Sequence, residues 1–139
     1  MALAASFLLG IVAGLRTFSA PAILWLTRHP GPVAYVLGAF ALLEYAGDLY
    51  PKVPPRTAPA PLAARAISGG FCGWAICAAA GAPAVAGAVL GICGALVAAY
   101  GGLAVRTVVA KAIGRVPAAL IEDGVAAVGG AAIVATLTH

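Results

Sequence analysis

The longest uncharged stretch of the chain covers residues 66–105. Because a helix crosses the hydrocarbon core of a bilayer with about 20 apolar residues, a stretch of this length predicts two spans. The Gly-Ala-Pro sequence at 81–83 supplies the break between them, since proline cannot donate a hydrogen bond inside a helix and glycine loosens it. We expect one span over residues 62–81 and another over 84–106.

Three further apolar segments flank this stretch. Upstream, one run covers residues 2–27 and, after a turn rich in proline and glycine, a second covers 33–50. Downstream, residues 118–138 form an apolar run entered through Pro117, and proline is favoured at the first position of a helix. The pattern predicts an all-α polytopic membrane protein with five transmembrane helices, forming a single integral membrane domain over residues 1–139.

The composition excludes an ordinary soluble domain. Hydrophobic residues make up 63% of the chain, charged residues 9%, and the mean hydropathy is +1.07, whereas soluble domains contain about 25% charged residues. The net charge of +4 comes from scattered side chains that form no basic stripe, so nucleic acid is not an expected partner. The three cysteines are an odd number within apolar runs and indicate neither a disulfide framework nor a zinc site. No motif for a metal, a cofactor or a catalytic nucleophile is present.

A secretory signal peptide is the alternative interpretation of the N-terminal segment. Residues 7–15 would be its apolar core and residues 17–20 its cleavage site. A signal peptide carries its positive charge before the apolar core, but no charged side chain precedes Arg16. We therefore expect this segment to be retained as the first span.

The distribution of basic residues predicts the orientation. With five spans, the N-terminus, a proline-rich loop at 51–61 and the connection at 107–117 share one side of the membrane. That side carries most of the lysines and arginines of the connections, namely Lys52, Arg56, Lys111 and Arg115, and the other side carries Arg28. By the positive-inside rule, the N-terminus is cytoplasmic and the C-terminus lies outside the inner (plasma) membrane. The five prolines of the 51–61 loop predict a stiff, extended cytoplasmic connection.

Two parts of the chain share a pattern of polar residues. An Arg-Thr pair followed by a glutamate on the next span occurs as Arg16-Thr17 with Glu44 and again as Arg106-Thr107 with Glu122. A single span separates the two pairs of helices, so spans 1 and 2 would be related to spans 4 and 5 as an inverted-topology repeat, an arrangement found in many transporters. Around the Arg-Thr pairs, residues 14–23 and 104–113 also share two alanines and an isoleucine. Chance similarity is the alternative, because such matches arise easily at this composition.

Ionisable side chains within the spans are the candidates for function. Each costs roughly 2.5–3.5 kcal/mol at the bilayer centre, so each needs a partner or water. Glu44 and Asp48 are four residues apart and share one helix face, which we expect to look inward toward Arg16, with Arg106 as a further partner. Glu122-Asp123 has an alternative explanation, since acidic residues are stabilised at a helix N-terminus. The candidate binding residues for a substrate or ion are Arg16, Thr17, Ser19, Glu44, Asp48, Arg65, Arg106, Thr107, Glu122 and Asp123.

Pro21 predicts an interruption in the first span. It lies shortly after Arg16, Thr17 and Ser19, and it leaves main-chain groups without their helical hydrogen-bond partners. At membrane depth such groups are tolerated only where protein or a water-filled cavity contacts them. The interruption would place these polar side chains at a polar cavity. A simple proline kink satisfied by neighbouring hydroxyl groups is the alternative.

Small residues recur at four-residue spacing in three of the predicted spans. The patterns are Gly10-xxx-Gly14, Gly69-xxx-Gly73 and Gly87-xxx-Gly91, the last extended by Ala95 and Ala99. Such spacing allows close approach of helices. In a chain this rich in glycine and alanine, we expect internal packing rather than a dimer face.

The polar positions also carry a family resemblance. An early Gly-x-Arg-Thr element precedes Glu-x-x-x-Asp, a proline-rich segment ending in Arg-Thr, and Leu-x-x-Arg-x-x-Ser-Gly. In these features the chain resembles the small bacterial membrane proteins catalogued as domain of unknown function 4126. The matching residues are Gly14, Arg16, Thr17, Glu44, Asp48, Pro51, Pro54, Arg56, Thr57, Leu62, Arg65, Ser68 and Gly69. Leu49 and Tyr50 depart from the family by following Asp48 where a lysine is frequent. The resemblance implies a membrane protein with these polar positions, and no particular activity.

The sequence favours a small inner-membrane transporter or channel-like protein with a buried Arg/Glu/Asp site. The expected partners are the lipid bilayer, a second copy of the chain, and a small anionic solute or lipid headgroup. A second copy is expected because five short, glycine-rich spans enclose little volume. The alternative is a structural or accessory membrane protein whose buried ion pairs only specify helix packing. Acid–base chemistry on a lipid by Glu44 and Asp48 is a third and weaker hypothesis.

Overall fold

The computed structural model describes residues 1–47 and 57–137, and every regular element in this part of the chain is an α-helix. The helices are α1 (Ala2–Leu15), α2 (Ser19–Arg28), α3 (Pro32–Gly47), α4 (Pro59–Ala79), α5 (Ala84–Ile113) and α6 (Arg115–Ala135). The all-helical prediction is confirmed. Asp48, the proline-rich segment up to Arg56 and the last two residues lie outside the described residues.

The apolar run over residues 2–27 forms two helices, so the interruption predicted within it is present. α1 ends at Leu15, and Arg16 has extended backbone angles, with φ of −141° and ψ of 113°. α2 begins at Ser19 and places Pro21 in its first turn. Proline is tolerated there because the first amides of a helix have no partner within the helix. The interruption therefore lies before the proline.

Within the described residues, three helices have the length and apolarity of a membrane span: α4 with 21 residues, α5 with 30 and α6 with 21. α1 and α3 are apolar but shorter. α5 continues past the predicted end at 106 to Ile113, because its basic residues do not interrupt the helical pattern. α6 begins at Arg115, three residues before the predicted start, after Gly114 with a positive φ of 97°.

The turn between α4 and α5 lies where the sequence predicted it. Gly81 adopts a φ of +64°, which glycine tolerates because it has no Cβ. Its amide donates to the carbonyl of Ala78 at 3.3 Å, and the Ala82 amide donates to Cys77 at 2.8 Å. This is the Schellman arrangement, which satisfies the last carbonyl groups of a helix.

Glycines allow α1, α4 and α5 to pack with their backbones in contact. Gly91 of α5 faces Gly69 of α4, and Gly87 faces Gly73 one turn away. Gly10 of α1 lies against the same Gly91. A Cβ added at any of these glycines would overlap a carbonyl oxygen of the facing helix. The small-residue patterns on these three helices are therefore internal packing surfaces, as predicted.

The outer surface of the helices is apolar. Large hydrophobic side chains are exposed on all six helices, including Val36, Ile67, Val108 and Val128, each more than half exposed. Soluble monomers rarely expose contiguous apolar surface on this scale. Together with the three span-length helices, this surface indicates a membrane protein surrounded by lipid.

Candidate functional site

The break between α1 and α2 leaves main-chain amides that a continuous helix would have paired. The amides of Thr17 and Phe18 donate instead to the Glu44 carboxylate of α3, with N–O distances of 2.8 Å to Oε1 and 3.0 Å to Oε2. Amides at the start of a helix favour a negative charge, because they lack partners and carry the positive end of the helix dipole. Glu44 therefore caps the N-terminus of α2.

The C-terminus of α1 is capped by the positively charged guanidinium group of Arg65. Arg65, buried on α4, donates from Nη1 to the carbonyl oxygens of Gly14 and Leu15, at 2.7 Å each. Its Nη2 lies 3.6 Å from Glu44 Oε1. A cation at a helix C-terminus and an anion at a helix N-terminus both complement the helix dipoles. One ion pair thus joins the two ends of the interrupted helix.

The carbonyl group of Thr17 is held by a hydroxyl. Pro21, four residues later, has no amide hydrogen and could not donate to this carbonyl even in a continuous helix. Ser68, on the same face of α4 as Arg65, donates its Oγ to the Thr17 oxygen at 2.5 Å. Residues from α3 and α4 therefore bind main-chain groups on both sides of the break.

Arg16 lies in the break itself, and its side chain is fully buried. Its Nη2 donates to Asp123 Oδ1 on α6, and the two form an ion pair. Its guanidinium carbon lies 4.9 Å from the centroid of the Tyr45 ring, within cation–π range. The Tyr45 hydroxyl is in turn 2.7 Å from Ser19 Oγ. We call the side chains around the break the polar cluster; its members are Arg16, Ser19, Glu44, Tyr45, Arg65, Ser68 and Asp123.

A further ion pair adjoins the polar cluster on α6. Arg106 Nη1 of α5 lies 3.6 Å from Glu122 Oε2, and Glu122 precedes Asp123. α6 begins at Arg115, so both acidic residues lie about two turns inside the helix. The helix N-terminus therefore does not account for them, since the dipole effect fades within the first turn. Glu122 is instead paired with Arg106 of α5, and Asp123 with Arg16 in the break between α1 and α2.

The structure brings most of the sequence-predicted site residues together. Arg16, Thr17, Ser19, Glu44, Arg65 and Asp123 meet at the break, and Arg106 with Glu122 lies beside them. Thr107 is exposed and donates its hydroxyl to the carbonyl of Leu103 in its own helix, at 2.7 Å. Asp48 lies outside the described residues.

The two Arg-Thr elements have different surroundings. Arg16 lies at a helix break, whereas Arg106 lies within the uninterrupted α5. The glutamates also differ, since Glu44 binds main-chain amides and pairs with Arg65, while Glu122 pairs with Arg106.

Two members of the polar cluster, Tyr45 and Ser68, were not among the predicted site residues. Ser68 follows Arg65 by three residues, which places both on one face of a helix and is a signal visible in the sequence. Tyr45 follows Glu44 directly, and neighbouring residues on a helix do not face each other. Its contacts with Arg16 and Ser19 depend on how α3 packs against the break, which the sequence does not reveal.

The polar cluster has the chemistry of an anion or proton site. Its two arginines and two carboxylates balance formally, so an added anion would have to compete with a carboxylate for a guanidinium group. Arginine presents a planar set of donors that matches carboxylate and phosphate groups. Within residues 1–47 and 57–137, no three His, Cys, Asp or Glu side chains come together as a metal site requires.

Comparisons of the chain with protein-family models, with curated proteins and with solved structures find no match. The chemistry of the polar cluster is therefore the basis for a functional hypothesis.

Proposed function

We propose that the chain is a small inner-membrane transporter or channel-like protein for an anionic solute, and that the polar cluster is its solute site. The observation that supports this most is the interrupted helix, with the buried Arg16 placed in the gap. Helices broken at membrane depth are a recurrent way in which transporters build substrate sites. A break also carries a structural cost, which here requires Glu44, Arg65 and Ser68 to bind the freed main-chain groups.

In this proposal the solute anion and the Asp123 carboxylate compete for Arg16. Asp123 neutralises the buried guanidinium when the site is empty, and the solute takes its place on binding. Glu44 and Arg65 remain hydrogen-bonded to main-chain groups and hold α1 and α2 in position. The Asp123 side chain is about one-fifth exposed, whereas that of Arg16 is fully buried. A solute or proton would therefore reach the ion pair from the Asp123 side.

We further propose a five-span arrangement in which α1 and α2 together form the first span. The N-terminus would then be cytoplasmic and the C-terminus outside. A second copy would complete the pathway, because the glycine contacts between α1, α4 and α5 leave little space within one copy. The inverted repeat and the kinship with domain of unknown function 4126 remain hypotheses within this proposal.

A structural or accessory role is the second candidate, and a specific observation favours it. Glu44, Arg65 and Ser68 bind main-chain groups that would otherwise be unsatisfied. This is what a cluster that only specifies helix packing would do. The two candidates differ in whether Arg16 contacts a solute.

The test is charge movement in proteoliposomes on a solid-supported membrane. Rapid concentration jumps of chloride, inorganic phosphate or succinate would be applied to the native protein, to Arg16→Gln and to Arg115→Gln. Arg115 is exposed at the start of α6 and provides a control with the same loss of charge. We expect a transient current with at least one anion, its loss in Arg16→Gln, and its retention in Arg115→Gln.

Native protein that gives no current with any of the three anions would favour the accessory role. A full current in Arg16→Gln would exclude Arg16 as the solute-binding group. Circular dichroism of each reconstituted variant separates loss of current from loss of folding.

A further inference from the structure

A concave site lies between α2 and α4, apart from the polar cluster. It has a volume of about 180 Å³ and is lined by Leu24, Trp25, Arg28, His29, Trp74 and three alanines of α4. Trp25 stacks on Phe71 with 5.3 Å between ring centroids, and its ring lies 5.5 Å from that of His29. Part of the cavity wall is thus aromatic, and ring contacts fix the position of Trp25.

Arg28 supplies the formal charge of this cavity. It lies half-buried in the last turn of α2, and within the described chain it forms neither a hydrogen bond nor an ion pair. None of the residues that line the cavity is acidic. A cation at the mouth of an apolar cavity complements a ligand that has an anionic group and an apolar body.

The cavity lies near helix ends, where a span meets the headgroups. α2 ends at Arg28 and α4 ends at Ala79, so the lining residues occupy the last turns of both helices. Tryptophan is enriched at this depth because its ring is apolar and its N–H is polar. Basic pockets between membrane helices bind anionic lipid headgroups on the cytoplasmic side. In the orientation proposed above Arg28 lies on the outer side, where an anionic lipid of the outer leaflet would meet the same charge.

We infer that this cavity binds an anionic phospholipid of the surrounding bilayer. The acyl chain would lie against Trp25, Trp74 and the alanines of α4, and the phosphate would bind Arg28. The site is separate from the proposed solute site, so it stands whether or not the protein transports an anion.

Both tryptophans of the sequence line this cavity, so tryptophan fluorescence reports on lipid bound there and, because Trp74 is 49% exposed, on the surrounding lipid as well. The protein would be reconstituted in phosphatidylcholine containing a minor fraction of brominated phosphatidylglycerol or, in parallel, brominated phosphatidylcholine. Bromine quenches tryptophan at short range, and the excess quenching gives the relative binding constant of the two lipids. We expect a preference of about fivefold for phosphatidylglycerol, because this is the contribution of one arginine to the binding of an anionic lipid surface.

Three variants identify the group responsible. Arg28→Gln should reduce the preference to about one, and Arg28→Lys should keep most of it, because the charge remains. Arg115→Gln, which removes the same charge at the start of α6, should leave the preference unchanged. Circular dichroism verifies that each variant retains its helices.

Equal quenching by the two brominated lipids in the native protein would overturn the inference. So would an unchanged preference in Arg28→Gln. Loss of the preference on addition of millimolar inorganic phosphate, but not of the same concentration of sodium chloride, would identify a soluble anion as the ligand and would also overturn it.

Discussion

Replacing Glu44 by glutamine should weaken the junction between α1 and α2 with little change in side-chain size. The carboxylate accepts one hydrogen bond on each oxygen, from Thr17 at 2.8 Å and Phe18 at 3.0 Å. Glutamine offers one carbonyl oxygen, and its amide nitrogen would face the second main-chain donor. One buried N–H group would lose its acceptor, and Arg65 would lose the charge that lies 3.6 Å away.

The expected loss of stability is about 2 kcal/mol for Glu44→Gln. An unsatisfied buried donor costs about 1–3 kcal/mol, while side-chain hydrogen bonds within a membrane protein contribute about 0.6 kcal/mol on average, because the unfolded chain finds other partners. Glu44→Ala removes both acceptors and leaves Arg65 without this anion. It should cost about 3–5 kcal/mol, the range for breaking a buried ion pair by removing one partner.

The assay is reversible unfolding in mixed micelles with increasing sodium dodecyl sulfate, followed by circular dichroism. Leu43→Ala is the matched control, since Leu43 is the neighbouring residue on α3 and is 65% exposed. It should change the free energy of unfolding by no more than about 0.5 kcal/mol. Native stability in Glu44→Gln, or a Glu44→Ala variant no less stable than Glu44→Gln, would contradict the assigned role of the Glu44 carboxylate.

Two further comparisons use the same unfolding assay. Ser68→Ala should cost about 1 kcal/mol, because the Thr17 carbonyl loses its donor from another helix. Thr107→Val should be close to neutral, since that exposed hydroxyl donates to Leu103 in its own turn of α5; equal effects would contradict the role of Ser68. Gly91→Ala should cost about 1–3 kcal/mol, because its Cβ would overlap the facing backbone. Gly129→Ala should not destabilise, since no atom lies within 4 Å of the added Cβ and alanine favours helix; similar losses in both glycine variants would contradict backbone contact at Gly91.

The sequence predicted the long apolar helices well, because the length of an uncharged run and its punctuation are local properties. The turn at Gly81 is an example, since glycine before alanine and proline is sufficient to end a helix. The end of α5 is a contrasting case. Arg106 suggested a span boundary, but the helix continues to Ile113, because an arginine that pairs with another helix need not lie at a helix end.

The candidate residues were recognisable from the sequence, but their pairing was not. The helix face that carries Glu44 and Asp48 was expected to lie toward Arg16, because carboxylates within a span need a partner or water. In the structure Glu44 binds the amides that follow Arg16 and pairs with Arg65, while Arg16 pairs with Asp123. The paired residues are tens of positions apart in the sequence. Which residues pair depends on which end of the broken helix each neighbouring helix packs against.

The pair formed by Arg16 and Asp123 allows folding and function to be separated. Asp123→Leu alone should destabilise by about 3–5 kcal/mol, because it leaves a fully buried guanidinium without this carboxylate. The double variant with Arg16→Met removes both charges and keeps apolar volume, so most of that loss should be recovered, as is common when a buried ion pair is replaced by hydrophobic residues. A stable double variant without anion-induced current would show that the charge of Arg16 serves the solute rather than the fold. A stable double variant with native currents would refute the solute site. Failure to recover stability would show that Arg16 supports the fold through contacts other than the Asp123 pair, such as that with the Tyr45 ring.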